Sequence, residues 1–315
     1  MNKRRSFITG IKSTTLSIQE KKFLKKYKPW GIILFSRNIK SIIQTKKLTD
    51  EIKKVFSDKN YPILIDQEGG RVNRFKNFFN LSYQTGQFFG DLYNKDKKKF
   101  NERYNMFVNK TSYLLKSAGI NINTVPVLDL KVKGSSNIIG DRSFSNNPKT
   151  VSKIGDICIS RFHQNNIGTV IKHIPGHGLA KVDSHKLTPT IKTKLKQLLQ
   201  KDFSTFKKKK SLLAMTAHII YDDIDKSNTS THSSAVIKLI RNNIRYRNIL
   251  MSDDISMKAL KYSLKQNTLM AFKAGCDLIL HCNGNFKEML IVAENSPLIS
   301  KFIIKKTSQL YKILS

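Results

Sequence analysis

The sequence is poor in cysteine, in acidic residues and in long apolar runs. Three cysteines, Cys158, Cys276 and Cys282, stand in 315 residues with no pairing pattern. That odd number argues against a disulfide scaffold and for free thiols in a reducing compartment. No uncharged apolar run reaches the ~18 residues that a membrane span needs. Behind the basic Lys3-Arg4-Arg5, the run over residues 6–11 ends at Lys12 and Ser13, too short and too polar for the core of a signal peptide. A cytoplasmic location is therefore expected. P-loop and dinucleotide-loop spacings are missing. No internal repeat or low-complexity linker marks a boundary, so one domain over residues 1–315 is expected, a length that suits a barrel of about 250 residues with insertions.

Acidic residues number 22 against 57 Lys and Arg, for a formal charge of +35. Such an excess would favour phosphate or anionic-membrane partners if it were gathered on one face. Lysines instead recur along nearly the whole chain, Lys207 to Lys210 included, without the interleaved aromatics that would stack bases. A dedicated nucleic-acid interface is not expected. The charge would still attract an acidic substrate.

Short apolar, β-branched runs alternate with longer stretches of helical spacing. Candidate strands cover residues 6–11, 31–35, 62–65, 121–125, 168–172, 211–216, 248–251 and 277–280. Candidate helices cover 42–56, 97–118, 148–165, 195–206, 233–244, 256–274 and 298–314. Eight strand-then-helix repeats with fully apolar strands predict an α/β fold, a single (β/α)8 TIM-type barrel. In such barrels the chemistry gathers at the C-terminal ends of the strands. Polar residues do follow the runs there: Ser36-Arg37-Asn38, Asp66 to Arg71, Asp129 beyond Pro126, His173, Ala217-His218, Ser252-Asp253-Asp254 and His281-Cys282.

The densest of these segments is Lys172-His173-Ile174-Pro175-Gly176-His177-Gly178 through Asp183-Ser184-His185, with three of the seven histidines. A strand is expected to end at His173 and open into a loop, because the Pro and Gly residues cannot continue it. Asp183 lies two residues from His185, close enough to orient the ring and favour its protonated form. Asp66 and Arg74 flank a Gly-Gly turn and are candidates for sugar hydroxyls and for a carboxylate or acyl oxygen, unless the turn is only salt-bridged. Arg142, on a loop, is a candidate clamp. Asp253, at a barrel mouth, could serve as nucleophile, base or metal ligand, although Asp253 or Asp254 could instead cap a following helix.

Taken together, the Phe-Ser-Arg-Asn strand end, Asp-Gln-Glu-Gly-Gly-Arg-Val, Ile-Gly-Asp-Arg-Ser-Phe, Lys-His-Ile-Pro-Gly-His-Gly to Asp-Ser-His, and Ser-Asp-Asp-Ile-Ser-Met resemble the bacterial cytoplasmic β-N-acetylglucosaminidases of glycoside hydrolase family 3. The likeness spans most of the chain and departs at Leu179-Ala180, where the family often has a polar pair. It implies a retaining hydrolase that removes terminal N-acetylglucosamine from peptidoglycan-derived muropeptides (GlcNAc-1,6-anhydro-MurNAc, with or without peptide) in cell-wall recycling. Asp253 would be the nucleophile and His185 the general acid/base, with Asp183 as its partner. Asp66, Arg74, Arg142, Lys172 and His173 would hold the sugar. Such chemistry needs an ionised carboxylate and a group that gives and then takes a proton; histidine, with an unperturbed pKa of about 6.5, suits both halves near neutrality.

No cofactor or metal is implied, and a monomer without a membrane span is expected. Two rival classes stay open. A metal-dependent hydrolase could use His173, His177, His185, Asp183 and Asp253 as ligands. A basic nucleic-acid binder would show steep salt dependence.

Overall fold

The computed structural model describes residues 3–182 and 187–315. The chain opens with β1 (Arg5–Gly10), α1 (Ile18–Tyr27), β2 (Pro29–Leu34), α2 (Ile42–Phe56) and β3 (Ile63–Ile65). It continues through α3 (Gly86–Lys95), α4 (Lys97–Ser117), β4 (Ile122–Asn123), α5 (Pro148–Gln164), β5 (Gly168–Ile174), β6 (Thr190–Ile191) and α6 (Leu195–Gln200). Then come β7 (Leu213–Thr216), β8 (Ile220–Tyr221), α7 (Ser234–Asn242), β9 (Ile249–Asp254), α8 (Leu264–Ala274), β10 (Leu278–His281), α9 (Phe286–Glu294) and α10 (Lys301–Leu314). The strands close in the order β1-β10-β9-β7-β5-β4-β3-β2, every pairing parallel. This is the eight-stranded (β/α)8 TIM-type barrel that the sequence predicts. The short β6 and β8 pair apart from it. No helix among the described residues is long and apolar enough to cross a membrane.

All eight barrel strands fall on the predicted runs, and α2 on its predicted span. Local chemistry explains the differences elsewhere. The short α1 carries four lysines in ten residues and rests on a capping box between Ser17 and Glu20 in place of a strong apolar stripe. Expected helix 256–274 begins only at Leu264, because Ser263 and Gln266 form a capping box there. Upstream, the Asp254 carboxylate accepts from Ser256 N and Oγ and from Cys282 N, which holds residues 254–256 as a turn. The helix cap considered for Asp253 or Asp254 is therefore a turn made by Asp254. Expected helix 195–206 breaks after Gln200 into a 3-10 turn, Asp202–Phe206.

Alternation along the strands positions everything that follows. Leu64, Ile122, Val170, Met251 and Leu280 face the barrel interior in one apolar cluster. Two residues further on, that face carries Asp66, Thr124, Lys172, Asp253 and Cys282. The polar groups are thus the top layer of the barrel's own filling. At the opposite end, Trp30, Ile299, Ile303 and Leu310 join the same cluster and close the floor with α10.

Trp30 is fully buried, and its Nε1–H donates to Thr307 Oγ1 at 2.8 Å. Thr307→Val keeps the shape but strands that N–H, at a cost of about 1–3 kcal/mol. Denaturant unfolding should show this loss, and Thr307→Ser, which keeps the hydroxyl, should lose less. Equal stability of the Val variant and the parent would contradict the assigned role of this bond.

Candidate active site

Lys172, the third layer of β5, is buried with its Nζ 2.9 Å from Asp66 Oδ1, 2.6 Å from Glu68 Oε1 and 2.9 Å from Thr124 Oγ1. Asp66 and Glu68 reach it together because they are two apart in an extended segment, while Gln67 between them faces away. Gln67 is clamped: its main chain exchanges hydrogen bonds with the Asn123 amide, and its side chain bonds Asn73 Oδ1 and Arg74 N. The turn that follows requires glycine. Gly69 has φ +96°, and a Cβ there would stand 2.3 Å from Gln84 O.

Two arginines complete the cluster. Arg74 Nη2 meets Asp66 Oδ2 at 3.0 Å and lies over the Phe35 ring. Arg142 meets Glu68 through Nε and Nη2, both at 2.8 Å, and its Nη1 donates to Ile138 O. The turn read as a possible salt-bridged structure is one, and it is built around the site. Burial opposes ionisation of both acids, but Lys172 and Arg74 hold Asp66 well below the usual carboxylate range. Arg142 and Lys172 hold Glu68 down to about 2. Lys172, Arg74 and Arg142 against Asp66 and Glu68 leave one positive charge in excess.

Asp253 supplies the matching negative charge. Burial would raise its pKa, yet His173, His218, the Asp254 N–H and Lys172 together hold it below the ordinary value. Its Oδ1 accepts from Asp254 N at 2.8 Å. No hydrogen bond to Oδ2 forms among the described residues, so this oxygen is the one open to a reacting centre.

His173 follows Lys172 through a cis peptide bond, where the pairing of β5 with β7 shifts register. Strand β5 runs one residue past it, to Ile174. Asp129 is the anchor of this corner: it accepts from His173 Nδ1 at 2.6 Å, from His173 N, and from His177 N at 2.7 Å. Burial and the neighbouring His173 pull the His177 pKa down to about 4. Gly178 packs so closely over the Asp129 loop that a Cβ would lie 2.4 Å from Leu130 O. At the departure Leu179-Ala180, Ala180 is buried, its N–H bonds His177 O and its carbonyl accepts from Ser136 N. The segment therefore stays packed and satisfied without the polar pair.

Asp66, Arg74, Arg142, Lys172, His173 and Asp253 thus lie at one rim; Asp66, His173 and Asp253 do so as the strand ends predict, and Arg74 and Arg142 reach it from the loops after β3 and β4. Asp183 and His185 lie outside the described residues. No group of three or more His, Cys, Asp or Glu placed to hold a metal occurs among the described residues. Sequence reasoning passed over Thr124 and saw Asp129 only as a rim residue. The polar residues just past β4 were the available signal for both. Arg37 and Asn38, by contrast, tie the Ile11 and Cys282 carbonyls and seal the barrel seam.

The family model for the glycosyl hydrolase family 3 N-terminal domain matches residues 9–310. A β-hexosaminidase of Idiomarina loihiensis is 32% identical over 291 residues, covering 91% of this chain and 86% of its own. That of Hydrogenovibrio crunogenus is 33% identical over 281 residues, covering 88% and 78%. Among solved structures, NagZ from Neisseria gonorrhoeae, in complex with N-trifluoroacetyl-D-glucosamine, matches with a TM-score of 0.88 at 27% identity, over 98% of this chain and 90% of that one. With the barrel and this charged rim, these likenesses mean that the chain belongs to glycosyl hydrolase family 3, as an enzyme of its β-N-acetylhexosaminidase branch.

Proposed function

We propose that the protein, acting as one barrel domain, removes a terminal non-reducing N-acetylglucosamine by double displacement through a glycosyl-Asp253 intermediate. The observation that carries this reading is the carboxylate of Asp253 at the barrel mouth, its pKa held below the ordinary value, with Oδ1 held by a backbone N–H and no hydrogen bond to Oδ2 among the described residues. Asp66, Arg74, Arg142, Lys172 and His173 supply charge-assisted contacts to the hydroxyls and the N-acyl group of the sugar. Because these groups are already held, Asp66 by Arg74 and Lys172, Arg142 by Glu68 and His173 by Asp129, the pocket is set before the sugar arrives.

In the first half, Asp253 Oδ2 forms a bond to the anomeric carbon as the bond to the leaving oxygen breaks, and His185 gives that oxygen a proton. In the second, His185 takes a proton from water, the water oxygen bonds to the anomeric carbon and the bond to Oδ2 breaks. Asp183 orients and charges the imidazole. Muropeptides of the GlcNAc-1,6-anhydro-MurNAc type are the proposed substrates. The formal charge of +35 suits their carboxylates.

Asp253→Ala should abolish turnover and prevent mass labelling by a slow 2-fluoro glycoside; an adduct mapped to Asp254 or Glu68 would move the nucleophile. Arg142→Ala should lower kcat/KM by about 10- to 1,000-fold. Unchanged kinetics would remove that loop from the site. His185→Ala should slow substrates with poor leaving groups far more than activated aryl glycosides, with Asp183→Asn milder in the same direction. Equal losses on both substrate types would assign the acid/base elsewhere.

A further inference from the structure

His218 stands just past β7, buried beside Asp253, with no part in the chemistry above. Its Nε2 lies 3.0 Å from Asp254 O, and a carbonyl can only accept, so Nε2 carries the proton. Nδ1 lies 2.7 Å from Thr231 Oγ1. Burial holds this histidine below its ordinary pKa, which favours the form in which Nδ1 accepts from the Thr231 hydroxyl. Thr231 Oγ1 lies 2.8 Å from Thr216 Oγ1 and, with its own proton directed at Nδ1 in preference to the more distant Ala217 O at 3.4 Å, accepts there. One directed chain therefore runs Thr216 to Thr231 to His218 to the carbonyl of residue 254.

Residue 254 is the nucleophile's own support. Its N–H is the donor to Asp253 Oδ1, and its side chain is pinned by Ser256 and Cys282 N. With the side chain and the carbonyl both tied, the N–H has one direction, and Asp253 keeps Oδ1 turned away and Oδ2 forward. We propose that His218 is a positioning residue for the nucleophile, acting through the main chain of Asp254. The proposal rests on Asp253 being the nucleophile.

Among the described residues, the other titratable groups facing Asp253 are His173, Lys172 and Cys282, and none of them bonds the carbonyl of Asp254. Both His218 and the Asp254 N–H hold the Asp253 pKa down, so removing His218 acts on it directly as well as through the main chain, and Thr231→Val, which keeps the ring, isolates the second route. Asp254 N–H favours ionised Asp253, so loosening it raises the pKa of that acid and moves the acid limb of kcat/KM upward.

The test compares the parent with His218→Ala, His218→Gln and Thr231→Val on a chromogenic N-acetylglucosaminide, and maps the 2-fluoro adduct in the parent. In His218→Ala, kcat/KM should fall by about 10- to 100-fold, with the acid limb displaced upward and the inhibition constant of N-acetylglucosamine within about 3-fold of the parent. His218→Gln keeps an N–H near the carbonyl and should recover much of the loss. Thr231→Val should show a smaller loss in the same direction, and these two variants carry the test if His218→Ala does not fold. Parent-like kcat/KM and an unmoved acid limb in His218→Ala, or a Gln variant no better than Ala, would overturn the proposal while an Asp253 adduct left the site assignment standing. An adduct on another residue would overturn both.

Discussion

The site depends on one buried ammonium. Lys172 is at the top of the barrel interior, where an unpaired charge would be costly, and it is tolerable only because Asp66, Glu68 and Thr124 surround it. Those acids are in turn acceptable there because Arg74 and Arg142 take their remaining oxygens. None of the five charges could be removed without leaving another stranded. The mutual requirement holds the loops after β3 and β4 in register against β5 and leaves a net positive charge facing Asp253.

The other half of the rim is governed by Asp129. A single buried carboxylate accepts from His173 twice and from the His177 backbone, so the two histidines before the Asp-Ser-His triplet start from a fixed base. Asp202 lies close under this corner, packed against Gly176 and Gly178. Burial and the nearby Asp129 raise its pKa to about 6.

The barrel was legible because its strands, buried on both faces, read as unbroken apolar runs, and period-two alternation carries the polar top layer two residues past them. Leu64 to Asp66, Val170 to Lys172 and Met251 to Asp253 are the same step taken on three strands. The short helices α1, α3 and α9 were missed, since capping and packing decide them more than a long apolar stripe does. Pairings between distant loops were also hidden: Glu68 with Arg142 is 74 residues apart, and Asp129 with His173 is 44. No local pattern signals the cis bond at Lys172-His173. Residue roles came from resemblance, because spacing alone left Asp253 as nucleophile, base or metal ligand.

The central claim is a covalent intermediate on one face of the sugar followed by water on that same face. Proton NMR of the first N-acetylglucosamine released from a β-linked substrate, recorded before mutarotation, reads this directly. Double displacement predicts the β-anomer as the initial product. Initial release of the α-anomer would mean direct attack by water and would contradict the account.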